Sequence, residues 1–549
     1  MNPKLSKILS LLLVTVLLLG LFAGCAPTND DPAGTTNGNA LGTNEVVTDK
    51  NSDIYPLESE KVFTVFMGGR EIDGLYADTL WQDVTGVDID WVAWDKPTMQ
   101  LALTNDEFTD ASMMHSRLSK TDVYEYGNAG KFINFMDYLN IMPNVRAMFE
   151  KYPEALELVQ NEDGTVYALP QVNWEPASVD HMIMFREDML SAAGWDKAPE
   201  TVDEFLECII DIQEVYGKDD PAFQAFNAYR ENYMAWNTET GSSNMMQVFF
   251  AAFGELVDTS MSADANGKIV FGASTEQYKH TLEFLNKVWE SGAMGTDIYT
   301  EDGTVSRALV LQNQVGSGLY MEGLTAENFA SGTLDLVGCG PFTSEYYSEK
   351  HAFAEYMFTW QNNMISTKCS DIVTMCKWMD SFYATEENPL NQEGTVWGQS
   401  LSYGVYGVDW TKDESTMTYK LLSHDGYDSG SAWKTAQMVG NPIGGYKFDY
   451  ILDDGSARSL KGFENIEKRV PYEVERYNMK ALNLNEDERD IYADYWTGID
   501  TYLTEMTAKF ITGELDVNAE WDNYLAQLEI LGLQDVIDAY QSAYDRTVK

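Results

Sequence analysis

Histidine, cysteine and basic side chains are scarce in this chain, and each shortage removes a class of chemistry. The five histidines are His115, His181, His280, His351 and His424, and no two share the i, i+4 spacing of an H-E-x-x-H zinc hydrolase. The five cysteines contain no C-x-x-C pair and are too few for a disulfide framework. Cys208 lies on a helical stripe and reads as a small core hydrophobe, while a pairing of Cys369 with Cys376 stays open. Only 36 Lys and Arg face 87 Asp and Glu, a formal charge of −51. That balance excludes nucleic-acid binding, which needs cations against phosphate, and an anionic bilayer would repel the body of the protein. It reads as a solubilising coat, under which polyanionic substrates are disfavoured unless a local arginine cluster overrules the mean field. There is no G-x-S-x-G elbow, and Gly127-x-x-Gly130-Lys131 has neither the spacing nor the hydroxyl of a phosphate loop. Ser262, Asp264, Asn266 and Gly267 partly mimic a calcium loop. Its twelfth position falls on Ala273, however, so a surface turn is expected and no metal is assigned. With 87 acidic residues, carboxylate pairs at glycosidase spacing carry no information. Binding without chemistry, and without a cofactor, becomes the default.

What is present begins at the amino terminus. Lys4 and Lys7 precede an apolar run from Ile8 to Leu19, and Phe22-Ala23-Gly24 puts small residues before Cys25, the pattern of a secretory signal. Residues 26 to about 55 are rich in Asn, Thr, Asp and Gly and read as a flexible tether. The junction resembles a bacterial lipobox, with Phe22 in the place of the usual leucine. The resemblance implies lipidation of Cys25 and a protein held on the outer face of the cell membrane. Each buried CH₂ contributes roughly 0.8 kcal/mol, and stable anchoring takes more than one acyl chain, palmitate among them. No second apolar run of 18 or more follows, so no other segment is expected to span a membrane.

Removing 24 residues from 549 leaves 525, and loss of Lys4 and Lys7 takes the charge from −51 to −53. A chain of that length exceeds one compact core and suggests two or more lobes. Lys61 to Met67 reads as a strand, followed by a helix to Val84 and a second strand from Val87 to Trp91. Thr201-x-x-Glu204 is a capping box, and behind it Val202, Phe205, Leu206 and Ile209 form a helical stripe. Alternating strands and helices predict α/β lobes with largely parallel sheets. From about Glu464 the pattern is almost wholly helical, interrupted at Gly532.

Several segments resemble the extracellular solute-binding proteins of ABC transporters (family 1), in the large lipoprotein oligosaccharide-binding group. They are Trp81 to Val87, Asp163-Gly-Thr-Val-Tyr-Ala-Leu-Pro170, Met184 to Met189, Ala193-Gly-Trp195, Pro199 to Phe205, Phe510 to Glu514, Trp521 to Tyr524 and Ala539-Tyr540. The resemblance implies a two-lobe periplasmic-binding-protein-like fold (type II), with hinge strands and extra C-terminal helices. The expected division is signal peptide 1–24 and lipid-anchored linker 25–57, followed by the lobes. Lobe 1 takes 58–170 with about 312–365, lobe 2 takes 171–311 with about 366–461, and 462–549 form a helical segment packed on both. The implied protein is a monomeric binder, not an enzyme, that captures an oligosaccharide by hinge closure and delivers it to permease subunits. The alternatives are a surface glycoside hydrolase, or a glycan sensor or adhesin sharing the fold.

Sugars present hydroxyl rims above apolar faces, so their sites combine aromatic platforms with amides, carboxylates or guanidinium groups. Placement in the family pattern selects Arg70 after the first strand, His115 at the end of the next, and Gln171, Asn173 and Trp174 after the hinge entry. It adds Trp236 in a polar loop, Tyr320 and Glu322 after a presumed Gly316-Ser-Gly318 turn, Trp360 ahead of a hinge strand, and Tyr406 and Trp410 in a glycine-rich loop. A packed core or a solvated loop is the alternative for each. Arg186 is expected to pair locally with Glu187 or Asp188.

Overall fold

The computed structural model describes residues 48–67, 72–93, 96–113, 118–172, 182–228, 245–296, 301, 303–319, 334–353, 356–398, 400–413, 418–427, 430–438, 451–452, 468–474, 477 and 479–548. The signal peptide and Cys25 lie outside them. Among the described residues no helix is long and apolar enough to cross a membrane.

The strands are β1 (Val62–Met67), β2 (Asp88–Val92), β3 (Ala111–Met113), β4 (Leu169–Val172), β5 (Ile183–Arg186), β6 (Gln224–Asn227), β7 (Met261–Ala263), β8 (Ile269–Phe271), β9 (Val315–Leu319), β10 (Leu336–Gly338), β11 (Ala352–Phe353) and β12 (Phe358–Ile365). They continue with β13 (Trp410–Asp413), β14 (Thr418–Leu421), β15 (Ile451–Leu452) and β16 (Glu473–Val474). Two sheets organise the molecule, one in the order β2-β1-β3-β12-β4 and the other β10-β5-β9-β6. In the first, β12 is antiparallel to β3 and β4, while β1 runs parallel to β2 and β3. In the second, β5 is antiparallel to β10 and β9, and β9 is parallel to β6. Each sheet is therefore largely parallel with one reversed strand.

The reversed strand has a simple origin. The chain leaves the first sheet at the end of β4 and enters the second at the start of β5, with only residues 173–182 between them. At about 3.3–3.6 Å per residue that span reaches no more than roughly 35 Å. A strand entering from the shared side must run away from it, against the strands that bring their carboxyl ends to it. β12 repeats this on the return to the first sheet. On that return β11 pairs with β16, and Arg469 donates to the Phe353 carbonyl at 2.6 Å and to Glu473 at 2.7 Å, so two crossing segments are tied together.

The local expectations hold where they are described. A helix occupies Tyr76–Thr85 and ends at Gly86, whose φ is 72°. The helix Val202–Tyr216 opens on the Thr201/Glu204 capping box and buries Val202, Phe205, Cys208, Ile209 and Ile212. Asp264 turns the β7–β8 hairpin, accepting from the Asn266 and Lys268 amides at 2.8 and 2.9 Å. Arg186 grips Asp188 through Nε and Nη2, at 3.1 and 2.7 Å. Cys208, Cys339, Cys369 and Cys376 are buried free thiols.

Four expectations are corrected. The segment about 312–365 divides between lobes, because β9 belongs to the second sheet and β12 to the first. Residues expected in lobe 2 from about 366 onward, including Trp378, Trp397, Trp410 and Trp433, pack into the first core. Gly316-Ser-Gly318 is strand, not turn. The Ser317 hydroxyl donates to Ala225 O at 2.7 Å, and a side chain at Gly316 would meet Ile212, which is why small residues sit there. The tether does not reach 57, since Asn51 and Tyr55 are already buried against Asn144, Asn388 and Lys377.

At the carboxyl end, described residues 468–474 form one 3-10 turn and a short strand, and the long helices begin only at Glu486. Those helices (Glu486–Ile511, Val517–Ile530, Leu533–Val548) feed the second core, with Gly532 at φ 90° breaking the last two. Across to the first lobe, Arg489 lies 4.4 Å above the Tyr124 ring, Arg546 3.3 Å from Glu162, and the Tyr544 ring 5.2 Å from Tyr477, which packs on the first core.

Candidate ligand cleft

In open α/β sheets, ligands bind outside the carboxyl ends of the strands. Here the carboxyl ends of β1, β3 and β4 share one edge with the start of β12, and those of β6, β9 and β10 share one with the start of β5. Seven of the residues selected from sequence, Arg70, His115, Asn173, Trp174, Trp236, Tyr320 and Glu322, lie outside the described residues. The four that are described divide into two kinds.

Gln171 and Trp360 sit together on the first edge. Pro170 lacks an amide hydrogen and cannot complete the β4–β12 ladder. Pairing jumps from Thr359↔Gln171 to Asn363↔Leu169, which leaves residues 360–362 bulged opposite a single proline. The Pro170 carbonyl turns instead to the Tyr383 hydroxyl at 2.7 Å. Within the bulge, Gln361 donates to the Gln171 side chain at 2.9 Å, and the Trp360 indole N–H reaches Leu118 O at 3.2 Å. Asn362 holds both backbone groups of Leu118, accepting from its N–H at 2.9 Å and donating to its carbonyl at 3.0 Å. The bulge thus collects two glutamines, an asparagine and a half-buried indole in one place. Trp360 lies inside β12, not ahead of it.

Tyr406 and Trp410 are separated by the same glycine-rich turn. Trp410 is the first residue of β13, 0% exposed, with its indole N–H on Gly404 O at 2.7 Å, so it packs and presents no face. Tyr406 remains half-buried, its ring 4.9 Å from Trp410 and 5.6 Å from Trp397. Gly404 holds φ at 98°, and a side chain there would strike Asp409. Asp409 is buried, accepts from Val405 N at 2.6 Å and Tyr76 Oη at 3.2 Å, and stands 3.2 Å from His424 Nε2. Burial raises the Asp409 carboxyl above its ordinary value, against the pull of Val405 N–H and His424. Burial also lifts the Tyr76 phenol to about 12, with Asp409 adding to it, so Tyr76 stays a hydrogen-bond donor. His424 in turn stacks on Trp433 at 3.9 Å.

Sequence reasoning missed Tyr76, Asp409, His424 and Trp433, which lie far apart in the chain and in no shared motif. It also missed a polar group on the second edge. Asn227, the last residue of β6, donates to Gln224 and to Glu301, both at 2.7 Å, and accepts from Ser306 Oγ at 2.6 Å. Glu301 stands in the run Tyr299-Thr-Glu-Asp-Gly303, which reads as an ordinary polar turn.

No protein-family profile matches the chain. Among characterised proteins it is 22% identical over 487 residues to the fructooligosaccharide ABC transporter substrate-binding protein FusA of Streptococcus pneumoniae serotype 4, covering 84% of this chain and 85% of that one. The structure of S. pneumoniae FusA with kestose superposes with a TM-score of 0.69 at 19% identity, over 88% of this chain and 99% of that one. Alginate-binding protein AlgQ2 without calcium gives 0.69 at 19% identity, over 89% and 99%. A solute-binding protein from Bifidobacterium longum infantis, described as binding human milk oligosaccharides (HMO), gives 0.66 at 17% identity, over 88% and 98%. The fold is that of sugar-binding ABC-transporter solute-binding proteins, as the sequence resemblance implied.

Proposed function

We propose that this protein is the substrate-binding lipoprotein of an ABC importer, and that it captures an oligosaccharide between its two sheets. The observation that carries this is the pair of carboxyl edges joined by short crossings, with amides and aromatic rings gathered at the first edge. Such a cleft needs no catalytic group. Its work is to exist in open and closed forms that differ in affinity for the ligand, so that binding shifts the population toward closure. The match to FusA and the B. longum protein supports an oligosaccharide over a single sugar. The lipobox-like junction at Cys25 supports a lipid anchor on the extracellular face, and the tether supports a monomer reaching permease subunits nearby.

The test is a thermal-shift screen of the full-length protein against neutral and acidic oligosaccharides, followed by calorimetry. A ligand at 100 times its dissociation constant stabilises the folded state by about 2.7 kcal/mol, a shift of a few degrees. A shift with one glycan family, without cleavage of that glycan, supports the reading. Released product would make the protein a hydrolase, and silence across the panel would overturn glycan capture.

A further inference from the structure

Glu301 is unusual among the buried acids. Asp380 and Glu488 each have both carboxylate oxygens hydrogen-bonded, Asp380 by the Asn144 and Val145 amides and Glu488 by Arg546 and Asn485. Asp409 accepts through Oδ2 from Val405 and Tyr76 while its Oδ1 faces His424 Nε2 at 3.2 Å, and Asp258 accepts from the Ser260 amide and hydroxyl. Glu301 is 5% exposed, and only its Oε1 is held, by Asn227 Nδ2 at 2.7 Å. Among the described residues its Oε2 has no partner, and no cation forms an ion pair with it. A largely buried carboxylate with one oxygen unclaimed offers that oxygen as an acceptor to a ligand's donor.

The supporting residues fix its direction. The Ser306 hydroxyl occupies the Asn227 carbonyl at 2.6 Å, so both Asn227 amide hydrogens must point to Gln224 and Glu301. Asn227 ends the edge strand β6, which places Glu301 at the carboxyl edge of the second sheet. The helix Gly303–Leu311 begins just after it.

We infer that Glu301 is a specificity-determining residue of the cleft, its free carboxylate oxygen accepting hydrogen bonds from sugar hydroxyls and refusing a uronate at that position. This rests on the oligosaccharide-binding reading and narrows it. A carboxylate is an acceptor only, so it takes strong, charge-assisted bonds from hydroxyl donors and repels a second carboxylate in a low-dielectric site.

The experiment compares the neutral glycan selected by the screen with an alginate tetrasaccharide, by calorimetry on the full-length protein and on Glu301→Gln. The amide retains an acceptor for Asn227 but loses the charge. The wild type is expected to favour the neutral glycan by at least 100-fold. Glu301→Gln should weaken that ligand about tenfold and narrow the neutral-to-uronate ratio at least tenfold, which a merely structural role would not do. Ser306→Ala, which frees the Asn227 amide to rotate, should narrow the same ratio at least threefold, and it decides the matter if Glu301→Gln does not fold. A wild type that prefers alginate, or a ratio unmoved in the folded variants, overturns the inference alone. A wild type that binds no glycan overturns the proposed function and this inference with it.

Discussion

The two cores are built from different aromatic residues, and the difference shows in what each demands of its backbone. The first is centred on tryptophans: Trp81, Trp378, Trp397 and Trp410 are all fully buried. The second is centred on phenylalanines, with Phe205 in ring contact with Phe185, Phe226, Phe249, Phe284 and Phe342 at 5.0–6.3 Å. A phenylalanine cluster needs only volume complementarity. Indoles also carry an N–H that favours an acceptor, and the first core accordingly holds polar contacts such as Trp81 Nε1 on Leu401 O at 2.6 Å and Trp410 Nε1 on Gly404 O at 2.7 Å. It also encloses Asp380, which caps the helix Pro143–Lys151 from outside by accepting from Val145 N at 2.8 Å. Volume should dominate the stability of the second core, and polar satisfaction and pH that of the first.

The largest expected effect tests the phenylalanine side. Phe205→Ala should cost about 3–5 kcal/mol, read from denaturant unfolding, because the cavity lies among rings that cannot collapse into it. A cost under about 1 kcal/mol would show a second core far more plastic than its packing implies.

The next effect belongs to Asp380. Burial raises its carboxyl from 3.8 to about 7. A raised acid pKa means the folded state holds a proton that the unfolded state has released. Its contribution is therefore full below about pH 4 and is lost as pH climbs through about 7, a swing of a few kcal/mol. Relative to Asp380→Asn, the wild type should gain stability on going from about pH 8 to about pH 5. Parallel pH profiles of the two proteins would remove Asp380 as the source.

Within the first core the indole argument can be sharpened further. Among the described residues Trp378 Nε1 has no hydrogen-bond partner, whereas the Trp81 N–H satisfies a carbonyl. Trp81→Phe should therefore cost about 1–2 kcal/mol more than Trp378→Phe, since it strands Leu401 O. Equal costs would mean that volume governs both cores. The smallest effect is a cap: Thr201→Ala should cost about 1 kcal/mol by removing the acceptor for Glu204 N–H, seen at 3.1 Å.

Much of the fold was legible because its signals are local. The capping box at Thr201, the helix stop at Gly86 and the break at Gly532 depend on a few neighbouring residues, and all stand where the sequence put them. Lobe membership was not legible. β9 and β12 lie about 40 residues apart, and their sheet membership follows from hydrogen-bonding partners distant in the chain, β5 and β6 for one and β3 and β4 for the other. The glycines of β9 illustrate the trap: Gly316 and Gly318 suggest a turn by composition, but both lie in a strand, where Gly316 packs too closely against Ile212 and Ala225 to carry a side chain.

The candidate site was legible only in outline. Gln171, selected at the hinge entry, and Trp360, selected ahead of a hinge strand, both lie beside the Pro170 bulge. Trp410 was taken for a cleft ring because a glycine-rich loop surrounds it. Its burial follows from a β13–β14 pairing that such a loop does not announce. Asp409, His424 and Glu301 carry no flanking motif, since their environment is assembled from segments distant in the chain.

By itself the sequence determined the strongly acidic, α/β character of this protein, because composition, periodicity and capping are short-range properties, and its motifs carried the resemblance to sugar-binding solute-binding proteins. Only the tertiary structure decided which strands share a sheet, which tryptophans pack, and which buried carboxylate keeps an oxygen unclaimed. Those depend on which residues lie close in space, and burial and hydrogen bonding exist only once the chain has folded.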